Sequence, residues 1–522
     1  MTKKYANHEN LHQKILRGVN ILADNVASTL GPSGRNVLLY NKNGSPVITK
    51  DGVTVARFVE LEDEFENVAA QVIKQAAAET NSIAGDGTTT ATVLARAIFR
   101  DAQKYLVAGA NPTEMKRGMD IAASMLVDEL KDLSRPVASE EDIRNIATIS
   151  ANGDETIGQL IATAVDKIGK DGAITIEEAK SMDTSLEVIE GFRFASGYFS
   201  KSFVTDERRG AVVYDSPLVL VTDHKINLVE DIYPVLEIVA RDNRPLIIVA
   251  EEVEGQALAA LIMNTTRGTL KVAAVKAPSY GEDRRNILKD LCVATGATFI
   301  SRESNMSLGE TKLNHLGSCR KIEVLKYLTT IVGGKGDYSK VEARIESLKE
   351  EIEQTEDLRE CTNIQDRITR LASGIALIKV GAPTEVEMIE KKHRIEDALE
   401  AVKSAQAEGL LPGGGVALYR ASEKLRYDDM SADAVLGFNI IKEVASEPIR
   451  QLSKNAGVSA DIILEKVKNS SDNQGYDFAN HDITDMYDSG IIDPLRVTKI
   501  ALLNAVSVAS TLLTTNYAII EE

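Results

Sequence analysis

The sequence predicts a multidomain chain, helical towards both ends and mixed α/β in the middle. Three observations carry that reading. Its 522 residues exceed what one hydrophobic core organises, since domains run near 150 residues. Apolar residues recur at spacings of three and four in both end regions, the period of amphipathic helices. Between about 173 and 335, short β-rich runs alternate with helix-length segments, as in α/β domains.

Taken in order, residues 11–30 put Leu11, Ile15, Val19, Leu22 and Val26 on one helical face, stopped by Gly31-Pro32. Runs 36–40 and 46–49, joined by Asn41-Lys42-Asn43-Gly44-Ser45, read as a β-hairpin. A lone two-stranded hairpin is marginal in water, so this one calls for a partner surface, such as another subunit. Residues 64–131 read as helix, broken at Gly85-Asp86-Gly87 and Gly109-Ala110-Asn111-Pro112. Strands are expected at 173–176, 218–222, 246–249, 272–275 and 298–300. Val341, Ile345, Leu348 and Ile352, then Ile364, Ile368 and Leu371, fit an antiparallel helix pair over 338–375. Helix resumes over 385–408 and 431–468, and the last strongly apolar helix covers 497–514. Two organisations remain open: domains in series, or an α/β part inserted into one helical domain built from both ends.

The balance of 60 Lys+Arg against 78 Asp+Glu gives −18, which argues against a nucleic-acid reader. Three cysteines without a CxxC pair support neither a disulfide framework nor a zinc site, and fit a reducing compartment. The N-terminus lacks the apolar segment of a secretory signal, and no long uninterrupted apolar stretch predicts a membrane span. The expected localisation is cytoplasmic.

Gly85-Asp86-Gly87-Thr88-Thr89-Thr90 precedes a helix. Glycines let a backbone approach a ligand closely, and amides at a helix start favour an anion. Asp86 is placed to hold a cation bridging phosphate oxygens. The bland alternative is a helix cap behind a flexible loop. No GxxxxGK[ST] occurs, so any nucleotide site is not a Walker A loop. Thr29-Leu30-Gly31-Pro32 and Gly413-Gly414-Gly415 are further glycine turns that would share one ligand if they converged. Asp51 and Asp397 are candidate carboxylates for positioning water. Tyr198, Phe203, Tyr233, Leu236, Leu258, Ile262 and Met263 read either as core or as an exposed apolar groove for unfolded chains.

Together these strings resemble the group I chaperonin (GroEL-like) family over essentially the whole chain. The specific pieces are Thr29-Leu30-Gly31-Pro32, Thr49-Lys50-Asp51-Gly52-Val53, AGDGTTTA at 84–91, VAAVKAP at 272–278 and LPGGGVA at 411–417. The resemblance implies a mostly α-helical, discontinuous equatorial ATP-binding domain (1–132 and 409–522). It also implies a small α/β intermediate hinge domain (133–190 and 375–408) and an α/β apical polypeptide-binding domain (191–374). ATP would contact Thr29, Leu30, Gly31, Pro32, Lys50, Asp86, Gly87, Thr88, Thr89, Thr90, Gly414, Asp477, Phe478, Ala479 and Asp493. Asp86 would hold Mg²⁺, Asp397 would orient the attacking water with Asp51 in support, and K⁺ is a further expected cofactor. The seven apolar residues above would bind non-native polypeptides and a co-chaperonin. Subunits would form heptameric rings, with the hairpin pairing with a neighbour. Tyr476-Asp477-Phe478-Ala479 departs from the family's Tyr-Asn-Ala-Ala near the adenine. That departure sustains an alternative, a polypeptide-binding scaffold with weak ATPase, and suggests a divergent paralogue or a phage or organellar relative.

Overall fold

The computed structural model describes residues 3–40, 46–168, 173–179, 181–304, 306–355, 358–372 and 374–521. The chain divides into two compact units. The first takes Met1–Asp166, Glu178–Ser185 and Val380–Glu522; the second takes Lys167–Glu177 and Leu186–Lys379. Both chain ends enter one unit, so the α/β part is an insertion.

The first unit opens with β1 (Lys3–Asn7), α1 (His8–Ala27), the strands β2 (Val37–Leu39) and β3 (Val47–Thr49), and α2 (Gly52–Phe58). The expected hairpin turn at 41–45 lies outside the described residues. Then come α3 (Glu64–Ala84), α4 (Thr88–Val107), α5 (Pro112–Leu133), α6 (Glu140–Ser150) and α7 (Glu155–Ile168). Capping explains the breaks between them. The Asp63 carboxylate accepts from the Phe65 and Glu66 amides at the start of α3, and Gly85, at φ +74°, ends it. Asn111 caps α5 with Pro112 at its start, where a missing N–H costs nothing.

The second unit holds β4 (Ala173–Glu178), β5 (Ser185–Phe194), β6 (Val212–Asp215), β7 (Leu218–Val221) and β8 (Lys225–Ile226). It continues through α8 (Val229–Asp242), β9 (Leu246–Ala250), β10 (Glu252–Val253), α9 (Gly255–Thr266), β11 (Val272–Lys276) and α10 (Gly281–Thr295). It closes with β12 (Gly317–Val324), β13 (Thr329–Gly334), α11 (Tyr338–Gln354), α12 (Leu358–Ala372) and β14 (Gly374–Val380). The main sheet runs β11-β9-β7-β12-β13-β5-β14-β4, with β6 on β12. Its parallel strands β7, β9 and β11 are nearly continuous buried apolar runs, as strands covered on both faces must be. Of the expected strand at 298–300, only a single bridge from Ile300 to Thr222 forms. Strand β12 was not anticipated because it buries charge. Lys321 Nζ donates to the Ile176 carbonyl (2.5 Å), and Glu323 pairs with Arg209. The helix pair is held to α10 by Asp290, 1% exposed, which accepts from Arg344 Nε (3.0 Å) and Arg367 Nε (2.7 Å).

The chain returns to the first unit with α13 (Glu385–Glu408), β15 (Leu410–Pro412) and α14 (Val416–Lys424). The stretch expected to be helical over 431–468 forms three helices: α15 (Ala432–Val444), α16 (Glu447–Ala456) and α17 (Ala460–Lys468). Pro448 at the start of α16 and Gly457 after it, at φ +71°, force the breaks. β16 (Gln474–Asp477) and β17 (Asp482–Asp485) pair, β18 (Ile492–Pro494) pairs with β15, and β19 (Tyr517–Glu521) pairs with β1. The intervening α18 (Leu495–Leu513) is long and apolar enough, by length and composition, to cross a membrane. Yet 56% of its apolar window is buried, where it packs on α3, α4 and α5 as a core helix.

Candidate functional site

The glycine turns converge on one cavity of about 440 Å³ within the first unit. Residues 29–32, 49–52, 85–90, 476–479 and 491–494 line it, as do Pro412, Gly414 and Gly415. All fifteen positions expected at a nucleotide are on its wall, together with Asp51 and Asp397.

Local structure builds each wall. After α1 the chain turns at Gly31, φ +80°. Asn455 of α16 fixes that turn, donating to the carbonyls of Ala27 and Leu30, both at 2.9 Å. Asn455 is itself held by Gln451 (2.9 Å), which accepts from Arg96 of α4 (3.0 Å). After β3, Asp51 caps α2, accepting from the amides of Val53 (3.0 Å) and Thr54 (3.2 Å). At Gly52 an added Cβ would stand 2.5 Å from Thr89 Oγ1 and 2.8 Å from Thr88 Oγ1, so only glycine allows these two loops to meet. Helix α4 starts behind Gly87, φ +87°, with no side chain capping it. Its first-turn amides are therefore left for an anion, beside the positive end of the helix dipole.

The electrostatics suit a cation bridging anionic oxygens. Burial raises the Asp86 carboxyl above its ordinary range, and the Asp51 charge adds to that. Hydrogen bonds from the Gly87 amide (2.5 Å) and Ser150 Oγ (2.9 Å) work the other way. Asp493 is pushed up to about 7, first by burial and then by Asp86. Lys50 is lowered by burial, against the attraction of Glu390. Among the described residues no group of three or more His, Cys, Asp or Glu could hold a metal. One acid plus ligand phosphates is, however, the usual way Mg²⁺ is held, and Asp86 fits that role.

Sequence reasoning missed Ser150, Glu390, His393 and Arg394, which also line the cavity. For the last three a signal existed. Positions 390, 393, 394 and 397 share one face of α13 at helical spacing. Arg394 pairs with Glu390 (2.8 Å) and with Asp154 (3.1 Å). Ser150 lies 64 residues from Asp86 and gave none. The Asp477-Phe478 departure makes an ordered wall. Asp477 accepts from the amides of Ala479 (2.7 Å) and Asn480 (3.2 Å), turning β16 into β17. Phe478 packs edge-on against Tyr476, ring centroids 5.0 Å apart.

The raised acids predict a pH dependence. Asp493 binds its proton more tightly folded than unfolded, so nucleotide-free stability should fall as pH rises from the ordinary carboxylate range through about 7. Asp493→Asn should flatten that decline in thermal melts between pH 5 and 8; an unchanged slope would locate it elsewhere.

In the second unit the expected polypeptide-binding residues divide. Tyr233 is 58% and Met263 50% exposed, and Tyr198, Leu258 and Ile262 are partly buried against the core. Phe203 and Leu236 correct the expectation, since both belong to the core itself. Leu236 lies on the inner face of α8, one turn from Ile232 and Val239, which are also buried.

Residues 22–522 match the TCP-1/cpn60 chaperonin family. Among solved structures, the chain resembles the chaperonin gp146 from the bacteriophage EL 2 (Pseudomonas aeruginosa), crystallised in the presence of ATP-BeFx. Identity is 22% and coverage is 99% of both chains. The TM-score is 0.68 for crystal form II and 0.62 for crystal form I. A likeness at that identity speaks to fold, whereas the family match spans nearly the whole sequence. The chain belongs to the TCP-1/cpn60 chaperonin family.

Proposed function

We propose that this chaperonin hydrolyses Mg²⁺-ATP to drive the folding of non-native polypeptides. The observation that carries the proposal is the convergence of the glycine turns, the uncapped start of α4 and the Asp86 and Asp397 carboxylates on one cavity. The first-turn amides of α4 and the hydroxyls of Thr88, Thr89 and Thr90 bind phosphate oxygens, with Lys50 facing them. Asp86 would hold Mg²⁺, which when bound would offset the charge of the phosphates. Asp397, carried on α13, orients the attacking water. Asp51 acts mainly by holding the start of α2 against the threonine loop. Phe478 and Ala479 face the base, and K⁺ completes the cofactor set.

Assembly follows from unsatisfied edges. The β2–β3 pair exposes Leu38, Val47 and Ile48, with Tyr40 exposed just beyond β2, while the β1–β19 pair exposes Tyr5, Tyr517 and Ile519. Two-stranded sheets with exposed edges and apolar side chains gain stability by pairing with another copy. The proposed assembly is a heptameric ring in which one subunit's hairpin extends its neighbour's terminal sheet. Tyr233 and Met263, flanked by Tyr198, Leu258 and Ile262, then offer adaptable apolar surface to non-native chains and to a co-chaperonin. In this reading the first unit comprises the equatorial domain and most of the intermediate domain, and the second holds the apical domain with the intermediate residues 167–177, 186–190 and 375–379.

The test is size fractionation followed by refolding of a denatured enzyme. Material near seven times 56.6 kDa should raise the refolding yield with Mg²⁺-ATP and not without it. Equal yields with and without ATP would favour the scaffold, and activity confined to monomer would remove the ring.

A further inference from the structure

The geometry points to Arg420 as the residue that positions the base end of the nucleotide site, an assignment that rests on the ATP reading above. Arg420 lies on α14, which begins at the glycine turn lining the cavity: Gly415, at φ +80°, is its N-cap. The side chain reaches away from that turn to the loop leading into β16. There its Nη2 is surrounded by acceptors: the carbonyls of Val467 (2.8 Å), Ser470 (3.2 Å), Ser471 (2.6 Å) and Gln474 (3.1 Å), and Ser470 Oγ (3.0 Å).

These acceptors are almost all backbone. The nearest carboxylate, Asp472, is 3.9 Å away and 83% exposed, so the guanidinium is held by peptide dipoles rather than by an ion pair. Gln474 is the first residue of β16, and two residues later the chain enters the cavity wall, which it follows from Tyr476 to Ala479. Arg420 therefore ties two walls together, the glycine turn before α14 and the β16–β17 turn. Asp477 stiffens the far end of that hairpin through its own turn bonds, while Arg420 fixes the near end. Arg420 does not line the cavity, so it is a positioning residue and not a catalytic one. All five contacts are made by Nη2, so its two N–H groups are shared among the acceptors, and removing the guanidinium leaves that cluster of carbonyls without a side-chain donor.

Steady-state ATP hydrolysis by full-length Arg420→Met, which keeps the aliphatic stem and removes the donors, tests the assignment. The half-saturating ATP concentration should rise about tenfold, the size of one hydrogen bond to a charged group. Maximal turnover per folded subunit should stay within about threefold, because Asp397, Asp86 and α4 are untouched. A residue that only stapled the fold would reduce the active fraction, lowering apparent turnover without moving half-saturation. That result, an unchanged half-saturation, or a fall in turnover larger than the rise in half-saturation would each overturn the assignment. Absence of ATP hydrolysis in the unaltered protein would instead remove the ATPase reading beneath it.

Discussion

Asp397→Ala is expected to slow ATP turnover by several hundred-fold while leaving Mg²⁺-ATP affinity within a few-fold. The carboxylate sits on α13, on the cavity face shared with Glu390, His393 and Arg394, and on a different element from the first-turn amides of α4 proposed to bind phosphate. Helix α13 is fixed close to the loop that enters α4. Ser404 Oγ donates to the Ala84 carbonyl (2.9 Å), and a Cβ at Gly85 would stand 2.0 Å from the side chain of Glu400. A group so placed orients water in the transition state and contributes little to ground-state binding, so its loss falls on kcat. Removing one such interaction costs on the order of 10²–10³ in rate. Single-turnover hydrolysis alongside equilibrium ATP binding measures both quantities. Equal losses in both would make Asp397 a binding residue, and unchanged turnover would remove it from the mechanism.

The helical scaffold was legible because its signals are local. The spacing of Leu11, Ile15, Val19, Leu22 and Val26 is the buried stripe of α1, and Gly85 and Asn111 mark helix ends by their own chemistry. The glycine turns were legible for the same reason. Their convergence was not, since β15 meets β18 across some eighty residues and Ser150 reaches Asp86 across 64. Only the family resemblance anticipated that those turns share a cavity. In the second unit, β12 escaped notice because Lys321 and Glu323 are buried there as satisfied charges, against the usual pattern of a strand. Phe203 and Leu236 illustrate the limit for surfaces. An apolar residue on an amphipathic element reads alike whether it faces the core or a client, and packing places these two inside.

The most direct measurement is a calorimetric titration of Mg²⁺-ATP into the unaltered protein and into Asp86→Lys. Asp86 lies in the loop that enters α4, with its pKa raised by burial and by a neighbouring acid, an arrangement a divalent cation would relieve. The substituted lysine places a positive charge where Asp86 is proposed to hold Mg²⁺, and buried like charges at contact cost several kcal/mol. The unaltered protein should bind one Mg²⁺-ATP per subunit, and the variant should bind more than about a hundredfold more weakly while keeping a cooperative thermal transition. Equal affinity in the two proteins would contradict the placement of Mg²⁺-ATP in this cavity.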